Sequence, residues 1–233
     1  MNTVKRSYKY NQEIVEGTDA NEFYELANIT AKKDGFTTFT REFYNHFFEV
    51  FHKLGKAKIF NAVVYPDKIL EANKKEVAEL KDKLEKGELS RKAASDAPDV
   101  IRRLEKDIKT FEPYQGKYPS GYVVASLMCS YSNTGMYTLY LGNNDLGLYT
   151  FSINRIYYEV IVDCFNQGLE FMDLFGTVGD PHIEYKNLST LHEYKRKFGD
   201  EYTEFLGEFD LIIKPFWYKA LPRLLKIYRK IRG

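Results

Sequence analysis

The chain has 233 residues, which at roughly 100–200 residues per domain allows one large domain or two small ones. Hydrophobic residues make up 44% and charged residues 29%, and this balance excludes a disordered, collagen-like or disulfide-framework protein. Thirty-four Lys and Arg against thirty-three Asp and Glu leave a net charge of +1, so affinity for nucleic acid or anionic lipid has to come from where charges sit.

Met1 to Arg6 carries basic residues with no apolar stretch behind them, unlike a secretory signal. Glu13 to Val15 reads as a short strand. Asn21 to Lys33 predicts a helix with Phe23, Leu26, Ala27 and Ile29 on one face, and Arg41 to Leu54 a second with Phe43, Phe47, Val50 and Phe51 inward. Ile59 to Val64 reads as a strand. Charge density then rises sharply: Asp67 to Glu112 holds twelve acidic and twelve basic residues. Within it Val77, Leu80 and Leu84 recur at helical spacing, Gly87 interrupts, and Val100, Ile101, Leu104, Ile108 and Phe111 resume, with Asp96 as N-cap and Pro98 in the first turn. One narrow apolar seam among so many charges predicts an antiparallel helical hairpin, residues 67–112, that projects from a globule.

The equally long stretch from Pro113 to Tyr158 holds only Lys117, Asp145 and Arg155 as charges and reads as core. Gly121 to Tyr131 and Met136 to Leu141 are strands joined by Ser132-Asn133-Thr134-Gly135, good turn chemistry. A helix from Ile153 to Asn166, a strand from Phe171 to Phe175, a Gly-rich loop, a helix near Leu191 to Lys197, a strand near Phe205 to Leu211 and a basic helical tail complete the order. This is an α/β (α+β) fold with a central mixed sheet and an inserted hairpin. Its expected organisation is a linking helix and strand over 1–17, one lobe made of 18–66 and 113–233, and the arm between them. Two isolated cysteines, Cys129 and Cys164, suit a reducing compartment and inert core positions. The longest apolar run, Tyr122 to Cys129, falls well short of the ~20 residues that cross a bilayer, so a cytoplasmic location is expected. The four histidines show no metal-ligand spacing, and no metal is expected.

Three segments together carry a resemblance. They are Lys33-Asp34-Gly35-Phe36 with Phe43-Tyr44 behind it, Tyr140-Leu141-Gly142-Asn143-Asn144-Asp145 with Asn154 downstream, and the run from Asp173 through Gly176, Gly179-Asp180 and Tyr194-Lys195 to Gly207-Glu208-Phe209-Asp210. In this order and spacing the chain resembles the Fem-type (FemABX) peptidoglycan-bridge aminoacyltransferases. The resemblance covers residues 3 to 220, and the charged hairpin is similar to the helical arm some members insert here. It implies an acetyltransferase-like (GNAT) lobe, used in that family as two tandem copies, of which this chain supplies the second. An isolated lobe is then expected to lack turnover. The implied activity moves amino acids from aminoacyl-tRNA to the stem peptide of lipid II or UDP-MurNAc-pentapeptide, at or near the inner face of the membrane.

Aminolysis of an activated ester needs a deprotonated amine near the carbonyl and positive charge or N–H donors where the oxyanion develops; it needs no ATP, CoA or metal. Lys195 matches the family position that contacts the tRNA end and stabilises charge there, with Tyr194 beside it; the alternative is that Lys195, Arg196 and Lys197 form an exposed basic helix end. The family's phosphate-gripping Arg falls at Phe39 here, with Arg41 two residues later. Tyr44, Tyr140 and Asn154 are implied precursor contacts, or else buried polar residues of core elements, and Gly179 shapes the loop. The tail from Lys214 to Gly233 has seven Lys or Arg and no acid, with Leu221, Leu224, Leu225, Tyr228 and Ile231 on one face. Its Lys214, Arg223, Lys226, Arg229 and Lys230 suit anionic membrane or tRNA phosphate, or else the solvated side of a packed terminal helix. A rival reading of the whole is a non-catalytic RNA-binding module that uses the hairpin and the tail.

Overall fold

The structure, a computed structural model, describes residues 2–177, 186–199, 201–204, 206–207 and 209–232. The chain divides into two compact units, Met1–Thr177 and Val178–Gly233. In the first, α1 (Asn2–Ser7) and a 3-10 turn (Tyr8–Tyr10) precede β1 (Glu13–Gly17), α2 (Ala20–Asp34), α3 (Arg41–Lys53) and β2 (Ala57–Val64). The arm follows as α4 (Pro66–Glu85) and α5 (Arg91–Phe111), then β3 (Tyr122–Tyr131), β4 (Gly135–Asn143), α6 (Asp145–Tyr149), α7 (Ser152–Asn166) and β5 (Phe171–Asp173). The sheet runs in the order β1-β2-β3-β4-β5, antiparallel except for the parallel β4–β5 pair, so it is the mixed sheet that the sequence predicts.

Alternation along β2 assigns the two faces. Ala57 and Ile59 join Phe23 of α2 and Tyr44 and Phe48 of α3 in one buried cluster, whereas Phe60, one residue on, shares a groove with Arg155 and Glu159 of α7. Opposite each other across three strands, Ile59, Met128 and Tyr140 all face α2 and α3. Between Cys129↔Thr138 and Met128↔Tyr140 the register slips by one, and Leu139 is the extra residue. That bulge is what turns Tyr140 toward Tyr44 while Met136, three pairs along, meets Cys164 of α7 at 3.6 Å. At the start of the chain, Gln12 donates to the Thr150 and Ser7 carbonyls at 3.0 and 3.1 Å and accepts from Ser152 Oγ at 2.6 Å, tying the first helix to the α6–α7 corner.

Several expectations are corrected in detail. In α2 the buried stripe is Phe23, Leu26, Ala27, Thr30 and Ala31, the i, i+3, i+4, i+7, i+8 pattern, and Ile29 lies off it and is exposed. In α3 the buried residues are Tyr44 and Phe48, not Phe43, Val50 or Phe51, which are exposed. The arm's second helix begins at Arg91, because Ser90 accepts from the Ala93 N–H at 3.3 Å as N-cap; Asp96 caps nothing there and Pro98 lies inside the helix. The loop after β4 forms the short helix α6, capped by Asn144, which the hydrophobic spacing of the sequence does not predict. Strand β5 stops at Asp173, whose carboxylate accepts the Phe175 N–H at 2.6 Å, and Phe175 takes a left-handed φ of 66°.

In the second unit the helices are α8 (Lys186–Arg196) and α9 (Pro215–Arg232). The strand expected near Phe205 to Leu211 is not formed among the described residues of that stretch; Phe205 and Glu208 lie outside them, as do Gly179 and Asp180.

Candidate functional site

Two groups of predicted site residues lie in different units. In the first unit, the end of α2 is the meeting point. Gly35, at φ 74°, lets the chain leave the helix, and the Phe36 N–H closes the turn on the Ala31 carbonyl at 3.0 Å. A Cβ on Gly142 would stand 2.3 Å from the Ala27 nitrogen, so this glycine is what lets β4 press against α2. Next to it, Asn143 N–H donates to Thr30 Oγ1 at 2.8 Å and Asn143 Oδ1 receives Lys33 Nζ at 3.5 Å. The segments Lys33–Phe36 and Tyr140–Asp145, distant in sequence, therefore support each other.

Beside this junction, Tyr44 and Tyr140 meet edge to face at 5.2 Å, with Phe39, Phe43 and Phe47 around Tyr140 at 5.6–6.3 Å. Tyr44 is buried, its hydroxyl lies 2.7 Å from Thr38 Oγ1, and burial pushes its pKa up, as it does for Tyr140. Both phenols are thus protonated at neutral pH and act as hydrogen-bond groups, not as bases. The adjoining cleft, of about 470 Å³, is lined by Asn28, Lys32, Phe36, Thr38 and Arg41. Arg41 is already engaged: its guanidinium pairs with Glu25, bonds Asn21 Oδ1 at 3.4 Å and stacks 4.6 Å above Tyr24. Asn154 is not part of this group; it sits half-buried on α7, which covers the opposite face of the sheet.

In the second unit, the three adjacent cations at the end of α8 separate cleanly. Arg196 and Lys197 are exposed, whereas Lys195 is 5% exposed. Removing an ammonium from water is costly, so Lys195 is not part of a solvated basic helix end. One turn earlier on the same helical face is His192, 9% exposed, with its ring edge-on to Tyr202 at 5.7 Å and its Nδ1 without a protein hydrogen-bond partner. Histidine spacing in the sequence speaks only to metal binding; the sequence signal for His192 is its i, i+3 relation to Lys195. Tyr194 packs edge to face on Phe198 at 5.4 Å. On α9, Lys214, which precedes it, and Arg223 and Lys226 are exposed, together with Phe216, Trp217, Leu221, Leu224 and Tyr228. Arg229 and Lys230 lie in the same helix, their side chains outside the described set. No helix among the described residues is long and apolar enough to cross a membrane.

Comparison with known proteins gives the family of the chain. The model of the FemAB family matches residues 4–226. The chain belongs to the FemAB family. Among curated proteins it is 24% identical to a lipid II:glycine glycyltransferase of Staphylococcus haemolyticus (strain JCSC1435), over 99% of this chain and 58% of that protein. It is 25% identical to the lipid II:glycine glycyltransferase of Staphylococcus aureus, over 90% of this chain and 54% of that one. The chain thus spans a little over half the length of these relatives. Among solved structures, the crystal structure of FemX shares the fold with a TM-score of 0.69 and 22% identity, over 94% of this chain and 57% of that chain. This FemAB-family chain keeps the order of segments read from its sequence, and in its first unit two of them are joined by direct contacts.

Proposed function

We propose that this chain is the arm-bearing part of an aminoacyltransferase that moves amino acids from aminoacyl-tRNA to the stem peptide of a peptidoglycan precursor, lipid II or a UDP-linked muropeptide, and so builds interpeptide bridges. The observation that carries the reading is the family match across nearly the whole chain, together with relatives named for glycyl transfer to lipid II. In this reading residues 18–66 and 113–233 form the transferase lobe and 67–112 the arm. The acceptor amine attacks the ester carbonyl, a C–N bond forms, the C–O bond to the tRNA ribose breaks, and the ribose oxygen leaves with the proton the amine gives up.

Lys195 is the group assigned to the developing oxyanion, since a cation held out of water acts strongly on charge that appears beside it. Tyr194 flanks it. Tyr44 and Tyr140 supply hydrogen bonds at the precursor, and α9 lays its cations and apolar residues against the anionic inner face of the membrane where a lipid-linked precursor resides. The test is transfer of a labelled amino acid from charged tRNA to lipid II by the protein expressed from its whole reading frame. Wild type is expected to transfer, Lys195→Ala to lose about 10²-fold or more in kcat, and residues 1–233 alone to bind a UDP-muropeptide without turnover. Absence of transfer, or an unchanged rate in Lys195→Ala, would overturn the assignment.

A further inference from the structure

β1 is an edge of the sheet. It pairs with β2 alone, and among the described residues no backbone group bonds to its outer side. A strand directs its N–H and C=O groups alternately to its two sides, so about half of those on Glu13–Gly17 are turned away from β2 and unpaired. Along this edge runs a groove of about 520 Å³, within the size range of sites that hold a ligand. Residues 12–16 line it from the strand, Arg155, Glu159 and Asp163 line it from α7, and Phe60 of β2 completes it. It lies on the α7 side of the sheet, opposite the face that carries Tyr44 and Tyr140.

The groove is acidic. Four carboxylates line it, Glu13, Glu16, Glu159 and Asp163, against one cation, Arg155. Arg155 is spent on Glu159 at 2.6 Å and stacks 3.8 Å from the Tyr8 ring centroid, and Glu16 is paired with Lys58 at 3.4 Å. Glu13 receives the Tyr65 hydroxyl at 2.8 Å and Asp163 the Gln167 amide at 2.5 Å, so among the described residues neither of these two has a cation. Acids on β1 itself are an ordinary guard of a free edge, because a second copy laid there would bring four carboxylates together. That guard does not account for Glu159 and Asp163, which stand on α7. They are one helical turn apart, about 6 Å, and alternate residues of an extended chain are about 6.6–6.8 Å apart. In addition, the buried Nε of Arg155 has no acceptor among the described residues. A main-chain carbonyl is an acceptor of the kind it lacks.

We infer that the free edge of β1 takes an extended basic peptide segment of a partner protein as an added strand, with cationic side chains two residues apart lying at Glu159 and Asp163. The main chain supplies the missing ladder bonds, and the alternate Lys or Arg residues supply the charge that the groove lacks. Nucleic acid and anionic lipid are repelled by the same carboxylates, and a neutral strand would cover them without pairing them. None of the groove residues belongs to the proposed transfer site, so the partner's role is to attach to this protein and not to react in it. For a short peptide the ion pairs stay near water and the affinity is modest, on the order of 1 mM.

The experiment titrates a capped peptide, Thr-Lys-Val-Lys-Val-Thr, into the purified chain and follows amide chemical shifts and hydrogen exchange. Two further peptides separate the contributions: one has Glu in place of Lys, and one keeps the lysines but is N-methylated at every Lys and Val, so that it cannot pair as a strand. Expected are saturable binding of the first peptide, with shifts and slowed exchange over Glu13–Gly17, and affinities weaker by about tenfold or more for the other two. Asp163→Lys should weaken the basic peptide about tenfold and Asp163→Asn about threefold, whereas Glu79→Lys, the same charge change on the arm, should leave it within about twofold. Because Asp163→Asn introduces no new charge, it keeps the test open if Asp163→Lys does not fold. No binding at about 10 mM peptide, equal binding of the N-methylated or the acidic peptide, or equal weakening by Glu79→Lys and Asp163→Lys would each overturn the proposal.

Discussion

Asp107 is the residue on which the arm's attachment turns. It sits on α5 with its side chain nearly out of water, accepts the Tyr149 hydroxyl at 2.7 Å and the Tyr10 hydroxyl at 3.5 Å, and pairs with Lys9. The three partners come from the start of the chain and from α6, so one carboxylate joins the arm to two separate parts of the lobe. Burial first, and then this negative charge, raises the pKa of Tyr10. Asp107→Ala would leave a lysine and two phenols facing a cavity, and an expected loss of about 2–4 kcal/mol follows, measurable by urea denaturation. Lys9→Met should cost about 1 kcal/mol or less, since Lys9 is half in water and the two phenols continue to hold the carboxylate. Equal losses in the two variants would mean that the ion pair, and not the buried hydroxyl bonds, does the anchoring. Nothing in the sequence marked Asp107 out among the twelve acids of the arm; its role depends on partners 97 and 42 residues away.

At the scale of elements, α3 illustrates what periodicity can and cannot fix. Both Phe43–Phe47–Phe51 and Tyr44–Phe48 are i, i+4 aromatic series, rotated from each other by about one residue's turn of 100°. The pattern identifies a helix with an aromatic face but does not say which series points inward. The structure buries Tyr44 and Phe48 against Ile59 and packs half-buried Phe47 on the edge of that cluster, while Phe39, Phe43 and Phe51 are exposed; the stack from Phe39 through Phe43 and Phe47 to Phe51 has ring spacings of 4.3, 6.2 and 4.7 Å. Phe48→Ala should therefore cost about 3–5 kcal/mol, and Phe51→Ser less than about 1 kcal/mol, by chemical denaturation. The reverse order would restore the face expected from sequence. Helix and strand positions were legible because the hydrophobic spacing was strong, and the Ser90 cap, the Leu139 bulge and α6 were not, because each is decided by a local backbone bond. The site followed the same division. Gly35 and Gly142 could be read as motif residues, but their reasons, a left-handed helix end and a helix–strand contact at 2.3 Å from any Cβ, exist only in three dimensions.

Over the whole molecule, the large aromatic share, 16% of the chain, becomes an electrostatic property as well as a packing one. Burial raises the pKa of Tyr44, Tyr131, Tyr140 and Tyr149, and pushes Tyr122 and Tyr157 up to about 12. A phenol whose folded pKa lies above its unfolded value near 10 stabilises the fold while pH is below 10, and that contribution disappears as pH climbs through the folded value. In the interval from about 10 to 12 the unfolded chain has lost protons that the folded chain retains, so stability must fall with pH there. For Tyr157, buried under β4, a folded pKa of about 12 against an unfolded value near 10 corresponds to about 2–3 kcal/mol. That is a sizeable part of the ~5–15 kcal/mol by which a domain is normally stable. The urea midpoint is therefore expected to be flat from about pH 7 to 9.5 and to drop steeply above pH 10. Tyrosinate absorbance should rise late and in step with the loss of circular dichroism, because the buried phenols ionise only when the fold opens. Tyr157→Phe should make the drop shallower, and tyrosinate forming near pH 10 in a chain that is still folded would show that the phenols are not held back by burial.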